Sequence, residues 1–203
     1  RLGANSLLSA SVDGWFTLPF TIPNYLAGHL GEEKLAEDSA EAAETIARAQ
    51  ARIDRLMSVR GENPHGPAHY HRQLGDILYW GCGVARNIED LKVAIDKIRS
   101  LRKDFWANVR ITGDANDMNQ VLEYGLRVAD YIDLGELMCI DALDRDESCG
   151  AHFREDHLTE DGEAERDDDN WCFVSAWEPG AAEGEFIRHA EPLYFDSIPL
   201  MTR

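Results

Sequence analysis

The sequence lacks the long apolar runs and cysteine pairs that define several protein classes. Its most apolar stretch, residues 15–30, is interrupted by two prolines and a histidine, so no run reaches the roughly 18 residues of a membrane span. The four cysteines form no Cys-x-x-Cys pair, which argues against a zinc ribbon or an iron–sulfur cluster within the chain. Scattered thiols also favour a reduced, cytosolic setting. We therefore predict neither direct membrane insertion nor a metal site.

Positive charge is also scarce, with 20 Lys and Arg residues against 38 Asp and Glu and a formal net charge of -18. Such a surface repels phosphate backbones and anionic lipid head groups, so nucleic acid is not an expected partner. An acidic balance still allows an anionic substrate, because a small site can be locally basic. The chain opens on Arg1 without an initiator Met, which favours a sequence that begins inside a longer one.

Helical periodicity dominates the middle of the chain. Helices are predicted over residues 32–59, from Pro67, from Asn87 and over 116–144, with short connections that favour antiparallel neighbours. A turn of small residues at the start of the chain feeds another helix, which Asn5 or Ser6 would cap. The residues predicted to face inward are Leu35, Ser39, Ala42, Ile46, Ile53 and Met57 in the helix at 32–59, Leu74, Ile77, Leu78, Cys82 and Ala85 in the next, Leu91, Ile95, Ile98 and Phe105 in the third, and Val121, Leu122, Val128, Ile132 and Cys139 in the last.

The composition changes near residue 146. Residues 155–169 are crowded with Asp and Glu, which we interpret as a solvated loop because their spacing is not that of an EF-hand. Short strand-like runs follow at 171–177, 185–189 and 192–195. The predicted fold is therefore mainly α: an antiparallel helical bundle at 31–145, followed by a small α+β carboxy-terminal region at 146–203.

Three clusters of polar residues contain the residue types of a metal site or a hydrolase triad. His69 and His71 lie two residues apart, so on a helix they point in different directions and suit a shared metal poorly. The His and acidic residues at 152–157 resemble a ligand set, but not in the His-Glu-x-x-His order. Ser148, with a His and an Asp from the same range, resembles a hydrolase triad but lacks the Gly-x-Ser-x-Gly elbow. We favour structural roles for all three clusters.

Three blocks of sequence resemble one family. The opening Arg1-Leu-Gly-Ala-Asn-Ser-Leu-Leu resembles the segment that ends the flavin-binding domain in the fumarate reductase and succinate dehydrogenase flavoprotein family. Glu147-Ser-Cys-Gly-Ala-His-Phe-Arg-Glu-Asp156 resembles that family's Glu-Ser-Arg-Gly-Ala-His-x-Arg-Glu-Asp, and Arg166-Asp-Asp-Asp-Asn-Trp171 its Arg-Asp-Asp-Glu-Asn-Trp. The helical region between them is similar to the family's helical domain. The resemblance implies that residues 1–30 are the remnant of an α/β flavin-binding domain.

The resemblance also implies an oxidoreductase that interconverts succinate and fumarate by passing a hydride to or from FAD. Arg1 matches the family's substrate-binding arginine, whose planar guanidinium can hold a carboxylate through two parallel hydrogen bonds. Ser6 and Leu7 match positions whose backbone N–H groups face the flavin, and Gly3 and Asn5 are expected to form the turn beside it. Most of the FAD site and the catalytic residues would lie upstream, so no catalytic residue is expected within this chain.

In the family, the helical domain helps to form the surface for an iron–sulfur subunit, which connects to a membrane anchor and quinone. The resemblance therefore implies a cytoplasmic protein held at the inner face of the cell membrane by its partners. Residues 12–30 suggest a divergent bacterial branch, and Cys149 stands where relatives usually carry Arg. Two alternatives stay open: an L-aspartate oxidase, which has a similar first block, and, for the isolated chain, a noncatalytic helical interaction module.

Overall fold

The computed structural model describes residues 3–32, 34–182, 184–197 and 199–200. The chain divides into two compact units, Arg1–Arg55 and Leu56–Arg203. The finer division that the sequence suggests, at 1–30, 31–145 and 146–203, stays a prediction. No helix among the described residues has both the length and the apolar character that crossing a membrane requires.

The first unit begins with helix α1, Gly3–Val12, which passes through a π-helical segment, Asp13–Thr17, into α2, Leu18–Ala27. The prediction that Asn5 or Ser6 caps α1 is wrong, because α1 already begins at Gly3. Asn and Ser favour cap positions, but this preference does not exclude them from the first turn of a helix.

Helix α3, Ala40–Ser58, starts later than predicted. The hydroxyl of Ser39 accepts a hydrogen bond from Ala42 N at 3.2 Å, so Ser39 caps the helix instead of lying inside it. Leu35 therefore precedes the helix and is exposed, as is Ile46 within it. The predicted inward stripe of this helix is wrong at both positions.

The second unit contains a three-helix bundle of α4, Pro67–Gly81, α5, Ile88–Asn108, and α6, Gln120–Asp144. The starts at Pro67 and after Asn87 are confirmed, and the side chain of Asn87 accepts a hydrogen bond from Asp90 N at 2.8 Å. Helix α6 starts at Gln120, four residues later than predicted, because the side chain of Asn119 caps it.

Each helix of the bundle packs on the other two. Arg99 bonds to Glu136 and Arg102 to Asp133, so α5 and α6 run in opposite directions, as predicted. Of the predicted inward residues, Ala85 is exposed, because α4 ends at Gly81 and Ala85 lies in a short strand. The predicted core residues that are buried are Leu74, Cys82, Leu91, Ile95, Ile98, Phe105, Leu122, Val128, Ile132 and Cys139.

The carboxy-terminal region adds two small sheets. Strands β1, Ala85–Arg86, and β2, Phe153–Arg154, pair in parallel, and β3, Phe173–Pro179, pairs with β4, Phe186–Pro192, as an antiparallel hairpin. A short helix, α7, Asp168–Trp171, precedes β3. The predicted third strand at 192–195 is wrong beyond its first residue, since Pro192 ends β4. The predicted class, a helical bundle followed by a small α+β region, is confirmed.

Candidate functional site

The first candidate site is the start of α1. Arg1, the predicted substrate-binding residue, lies outside the described residues. Gly3, Asn5 and Ser6 have helical backbone in the first turn of α1, and no acidic residue lies in that turn. Leu7 follows in the same helix with an exposed side chain. The start of a helix carries backbone N–H groups without intrahelical partners, which suits an anion or a polarised carbonyl.

The second candidate site lies at the other end of the chain, where the second sequence block meets the end of α6. The guanidinium of Arg154 is fully buried and pairs with the carboxylate of Asp156 through two bonds, of 2.8 Å and 2.5 Å. Its Nη1 also donates to the backbone carbonyls of Ala142 and Arg145 at 3.2 Å. Ala142 lies in the last turn of α6 and Arg145 is its C-cap residue, so both carbonyls are at the end of the helix where its dipole favours a cation. Arg154 therefore fastens the block to the end of α6.

The block itself folds back as a tight turn. The backbones of Cys149 and His152 exchange hydrogen bonds of 2.9 Å and 3.0 Å across Gly150, whose φ of 61° is the left-handed conformation that glycine adopts readily. The buried hydroxyl of Ser148 accepts from Arg154 N at 2.7 Å and donates to Arg154 O at 3.1 Å. The small residues of the block are thus explained by the turn that they form.

His152 has both ring nitrogens occupied. Its Nε2 lies 2.9 Å from the carbonyl of Arg145, and Nδ1 lies 2.9 Å from Nη1 of Arg86. A carbonyl only accepts and a guanidinium only donates, so this geometry requires the neutral ring with its proton on Nε2. Burial lowers the pKa of His152, and the nearby guanidinium groups lower it further, although the bond to the Arg145 carbonyl opposes them.

The second and third sequence blocks are joined by Glu147. Its buried carboxylate accepts from Arg145 Nε at 2.9 Å and Nη2 at 2.6 Å, and its other oxygen accepts from Asp167 N at 2.9 Å. Arg145 also donates to the carbonyl of Trp171 at 3.0 Å. Within the third block, Arg166 pairs with Asp168 at 2.6 Å. One ion pair therefore holds both blocks against the end of α6.

The structure separates the residues that resembled a hydrolase triad. The hydroxyl of Ser148 is bonded to the backbone of Arg154, and the ring of His152 is bonded to Arg86 and Arg145. The carboxylate of Asp156 pairs with the guanidinium of Arg154. The Ser, His and Asp side chains bond to these other groups and not to one another, so the arrangement provides no relay from a base to a nucleophile.

One group of side chains in the described part of the chain brings three metal-ligand atoms within 4.8 Å of one another: Asp146, Asp156 and His157. Nε2 of His157 lies 2.8 Å from Asp146 Oδ1. However, Nη2 of Arg154 already lies 2.5 Å from Asp156 and 3.4 Å from Asp146, so a positive charge occupies the position that a cation would take. The chemistry of this cluster is that of an ion-pair network.

The two histidines of α4 have separate partners. The ring of His69 stacks on His65 with centroids 3.9 Å apart, whereas Nδ1 of His71 lies 2.7 Å from the hydroxyl of Tyr124. This agrees with the prediction that residues two apart point in different directions.

The roles of Arg145 and Arg86 were not predicted from the sequence, because these residues lie outside the blocks that resemble the family. A buried carboxylate at Glu147 needs a cation, and that requirement was the signal that could have identified Arg145.

The comparisons with known proteins point to one family. Residues 71–203 match the family model "Fumarate reductase flavoprotein C-term". The fumarate reductase flavoprotein subunit of Escherichia coli is 32% identical over 176 residues, which cover 84% of this chain and 26% of that protein. The succinate dehydrogenase flavoprotein subunit of Bacillus subtilis is 29% identical over 174 residues, or 84% of this chain and 27% of that protein.

A solved structure, a quinol–fumarate reductase with menaquinol molecules, superposes with a TM-score of 0.68 at 27% identity. The alignment covers 81% of this chain and 27% of the solved chain. This chain therefore spans about a quarter of the length of the relatives that it matches.

Proposed function

The chain belongs to the fumarate reductase and succinate dehydrogenase flavoprotein family, and on that premise we propose that it forms the carboxy-terminal part of a subunit that interconverts succinate and fumarate. The observation that carries the proposal is the match of residues 71–203 to the family, together with the first block at residues 1–8. When FAD is bound, it supplies the hydride chemistry. The role of this chain is to bind the substrate at one edge of the site and to support that edge.

Arg1 is the residue to which we assign substrate binding. The substrate is a dianion, and a carboxylate in a water-poor site needs a fixed positive partner. A guanidinium keeps its charge at any working pH and presents two parallel N–H donors. In the sequence, Arg1 stands two residues before Gly3, where α1 begins. Substrate bound by Arg1 would therefore lie beside the start of that helix.

The start of α1 fits one edge of a flavin. In a helix that begins at Gly3, the backbone N–H groups of Gly3 and Asn5 come before the first intrahelical bond and have no helical acceptor. The first turn also contains no acidic side chain that would repel negative charge. From the family resemblance we assign Ser6 and Leu7 to the part of the ring system where negative charge accumulates on reduction. Because α1 begins at Gly3, the N–H of Leu7 has the carbonyl of Gly3 as its helical acceptor, and it would act there through the positive end of the helix dipole.

The proposed partner subunits are inferred from the proteins that this chain resembles. One matched structure is a quinol–fumarate reductase that contains menaquinol, and no helix of the described residues of this chain could cross a membrane. We propose that electrons pass from the flavin to an iron–sulfur subunit and then to quinone at a membrane anchor. The protein would then lie on the cytoplasmic side of the membrane, held by these partners.

The test is Arg1→Lys in the full-length subunit assembled with its partners. Lys keeps the positive charge but loses the two-pronged geometry, so kcat/KM for succinate oxidation should fall at least about tenfold, or roughly 1.4 kcal/mol of transition-state stabilisation. Flavin content, measured by absorbance in the same preparation, should change much less. Arg48→Lys on the exposed face of α3 is the matched control and should leave kcat/KM unchanged. Near-normal kcat/KM in the Arg1 variant would contradict the assignment.

A further inference from the structure

The segment that carries the chain from α3 into the bundle is fastened at one histidine. Leu56, near the end of α3, is buried, and the connecting segment, residues 59–66, leads from there to α4. The N–H of His65 donates to the carbonyl of Asn108, the last residue of α5, at 3.3 Å, and the carbonyl of His65 accepts from Arg110 N at 2.8 Å. His65 therefore lies where the start of α4 meets the end of α5.

The connecting segment lies directly against the end of α5. A Cβ on Gly61 would come within 2.0 Å of the Asn108 side chain and 2.3 Å of the Ala107 carbonyl, so a side chain there would force the segment away. The N–H of Asn63 is 3.4 Å from Oδ1 of Asn108. This bond and the 3.3 Å bond from His65 are long for N–H donors, so the attachment also depends on the side chain of His65.

The side chain of His65 is held by a second histidine. Its ring stacks on that of His69, in the first turn of α4, with centroids 3.9 Å apart and planes 19° from parallel. The ring of Tyr70 stands steeply to both, with its centroid 6.4 Å from His65 and 5.3 Å from His69. Nε2 of His69 accepts from the amide of Gln73 at 2.9 Å, which requires a nitrogen without a proton. The stack is therefore a contact that suits neutral rings.

The charges around the stack come from three elements. Burial lowers the pKa of His69, and the charges of His65 in the connecting segment and Arg72 in α4 lower it further, whereas Asp104 in α5 opposes them. Burial also raises the pKa of the neighbouring Tyr70, so its phenol stays neutral and adds no charge. The closed stack thus favours the neutral form of His69.

We propose that the His65–His69 stack is a pH-sensitive clasp, which holds the connecting segment on the end of α5 and opens when both rings are protonated. Two imidazolium ions with centroids 3.9 Å apart repel each other, whereas water can surround each ring once the segment has moved away. The open form therefore binds protons more readily than the closed form. The stability of the closed form is fully present above pH 6.5 and is lost as pH falls below it.

The test is hydrogen–deuterium exchange of the full-length subunit at about pH 7.5 and about pH 5.5, read by mass spectrometry. Exchange rates are divided by those of the same peptides in the unfolded chain, which removes the chemical effect of pH. We expect the protection of the His65 and Arg110 amides to fall about five- to tenfold at the lower pH, because one extra proton on the open form allows at most about tenfold per pH unit. Peptides around Ile132 in α6 should keep their protection.

Three variants separate the clasp from a general effect of acid. His65→Phe keeps a flat ring for the stack but cannot take up a proton, so the protection of Arg110 should no longer depend on pH. If His65→Phe alters the circular dichroism spectrum, His69→Gln serves the same purpose, because it removes the second charge. His71→Gln is the matched control and should keep the wild-type response, because His71 bonds to Tyr124 instead.

The proposal is overturned if wild-type Arg110 is equally protected at both pH values. It is also overturned if the variants at His65 and His69 keep the pH response, because the two rings are then not its source. Equal loss of protection around Ile132 would contradict it as well, since acid would then loosen the whole bundle.

Discussion

The helices of the first unit and those of the bundle are both rich in apolar side chains, but they expose them very differently. Leu7 and Trp15 in the first unit are 77% and 78% exposed, whereas Leu91 and Ile98 in the bundle are completely buried. The bundle helices carry their apolar residues on one stripe, which faces the neighbouring helices. The apolar residues of α1 and α2 are spread around the helix, and all of those whose burial is described are exposed.

The difference shows that apolar content and apolar arrangement carry separate information. The apolar stripe of each bundle helix is buried against the other two helices, so α4, α5 and α6 form a core together. A helix that is apolar on all sides is the kind found inside a large core. In a longer flavoprotein subunit, we expect α1 and α2 to be covered on every side. If burial rather than apolar composition determines stability, a substitution in the bundle should lower the free energy of unfolding more than the same substitution in the first unit.

The largest effect is expected at Arg154. Arg154→Ala removes the only guanidinium within 4 Å of the Asp156 carboxylate among the described residues and takes a donor away from the Ala142 carbonyl of α6. We expect the free energy of unfolding, measured by urea denaturation, to fall by about 3–5 kcal/mol. Arg127→Ala is the control, because Arg127 forms an exposed pair with Glu123 on the same helix, and its replacement should leave the free energy of unfolding nearly unchanged. Equal losses would mean that the buried network contributes no more than a surface pair.

An isoleucine in each region gives a direct test of the comparison. Ile95 is 6% exposed in the bundle and Ile46 is 64% exposed in α3. Ile95→Ala should lower the free energy of unfolding by about 2–5 kcal/mol, because it leaves a cavity in the core. Ile46→Ala should change it by no more than about 0.5 kcal/mol. Similar losses at both sites would show that the first unit buries α3 as the bundle buries α5.

The smallest effect is a dependence on pH. The folded state lowers the pKa of His152 below the ordinary 6.5, so the unfolded chain binds the proton more readily. Stability due to the neutral ring is therefore present above pH 6.5 and is lost as pH falls below it. One such group adds a slope of at most about 1.4 kcal/mol per pH unit.

His152→Asn should reduce the slope of unfolding free energy against pH between about pH 5 and 6.5. His69, whose pKa is lowered by burial and by the stacked His65, should make a separate and additive contribution. The measurement is urea denaturation at a series of pH values. An unchanged slope in the His152 variant would contradict a neutral ring in the folded state.

The sequence was informative wherever the signal is local. Asn87 was predicted as a cap because its side chain reaches the N–H groups of its own helix, and the bundle stripe follows from residues three and four apart. It was less informative at Ile46, since periodicity marks the apolar face of α3 but not whether another element covers it. The network around Arg154 depends on partners at 86, 142 and 145–156, which only the folded chain brings together. The assignment of Arg1 rests on family resemblance and stays a prediction.

The hydrogen bonds around Glu147 hold both ends of the acidic loop, and this indicates where additional residues could be inserted in the chain. The acidic loop leaves the network after Arg154 and returns at Glu165 and Asp167, where backbone N–H and C=O groups bond to His157, Ser148 and Glu147. Both ends are fastened, while the tip around Asp161 and Gly162 is exposed and closed by its own bonds. Lengthening a flexible loop costs only about 0.6 kcal/mol for each doubling of its length. The tip is therefore a suitable place to insert a peptide tag or a fluorescent label.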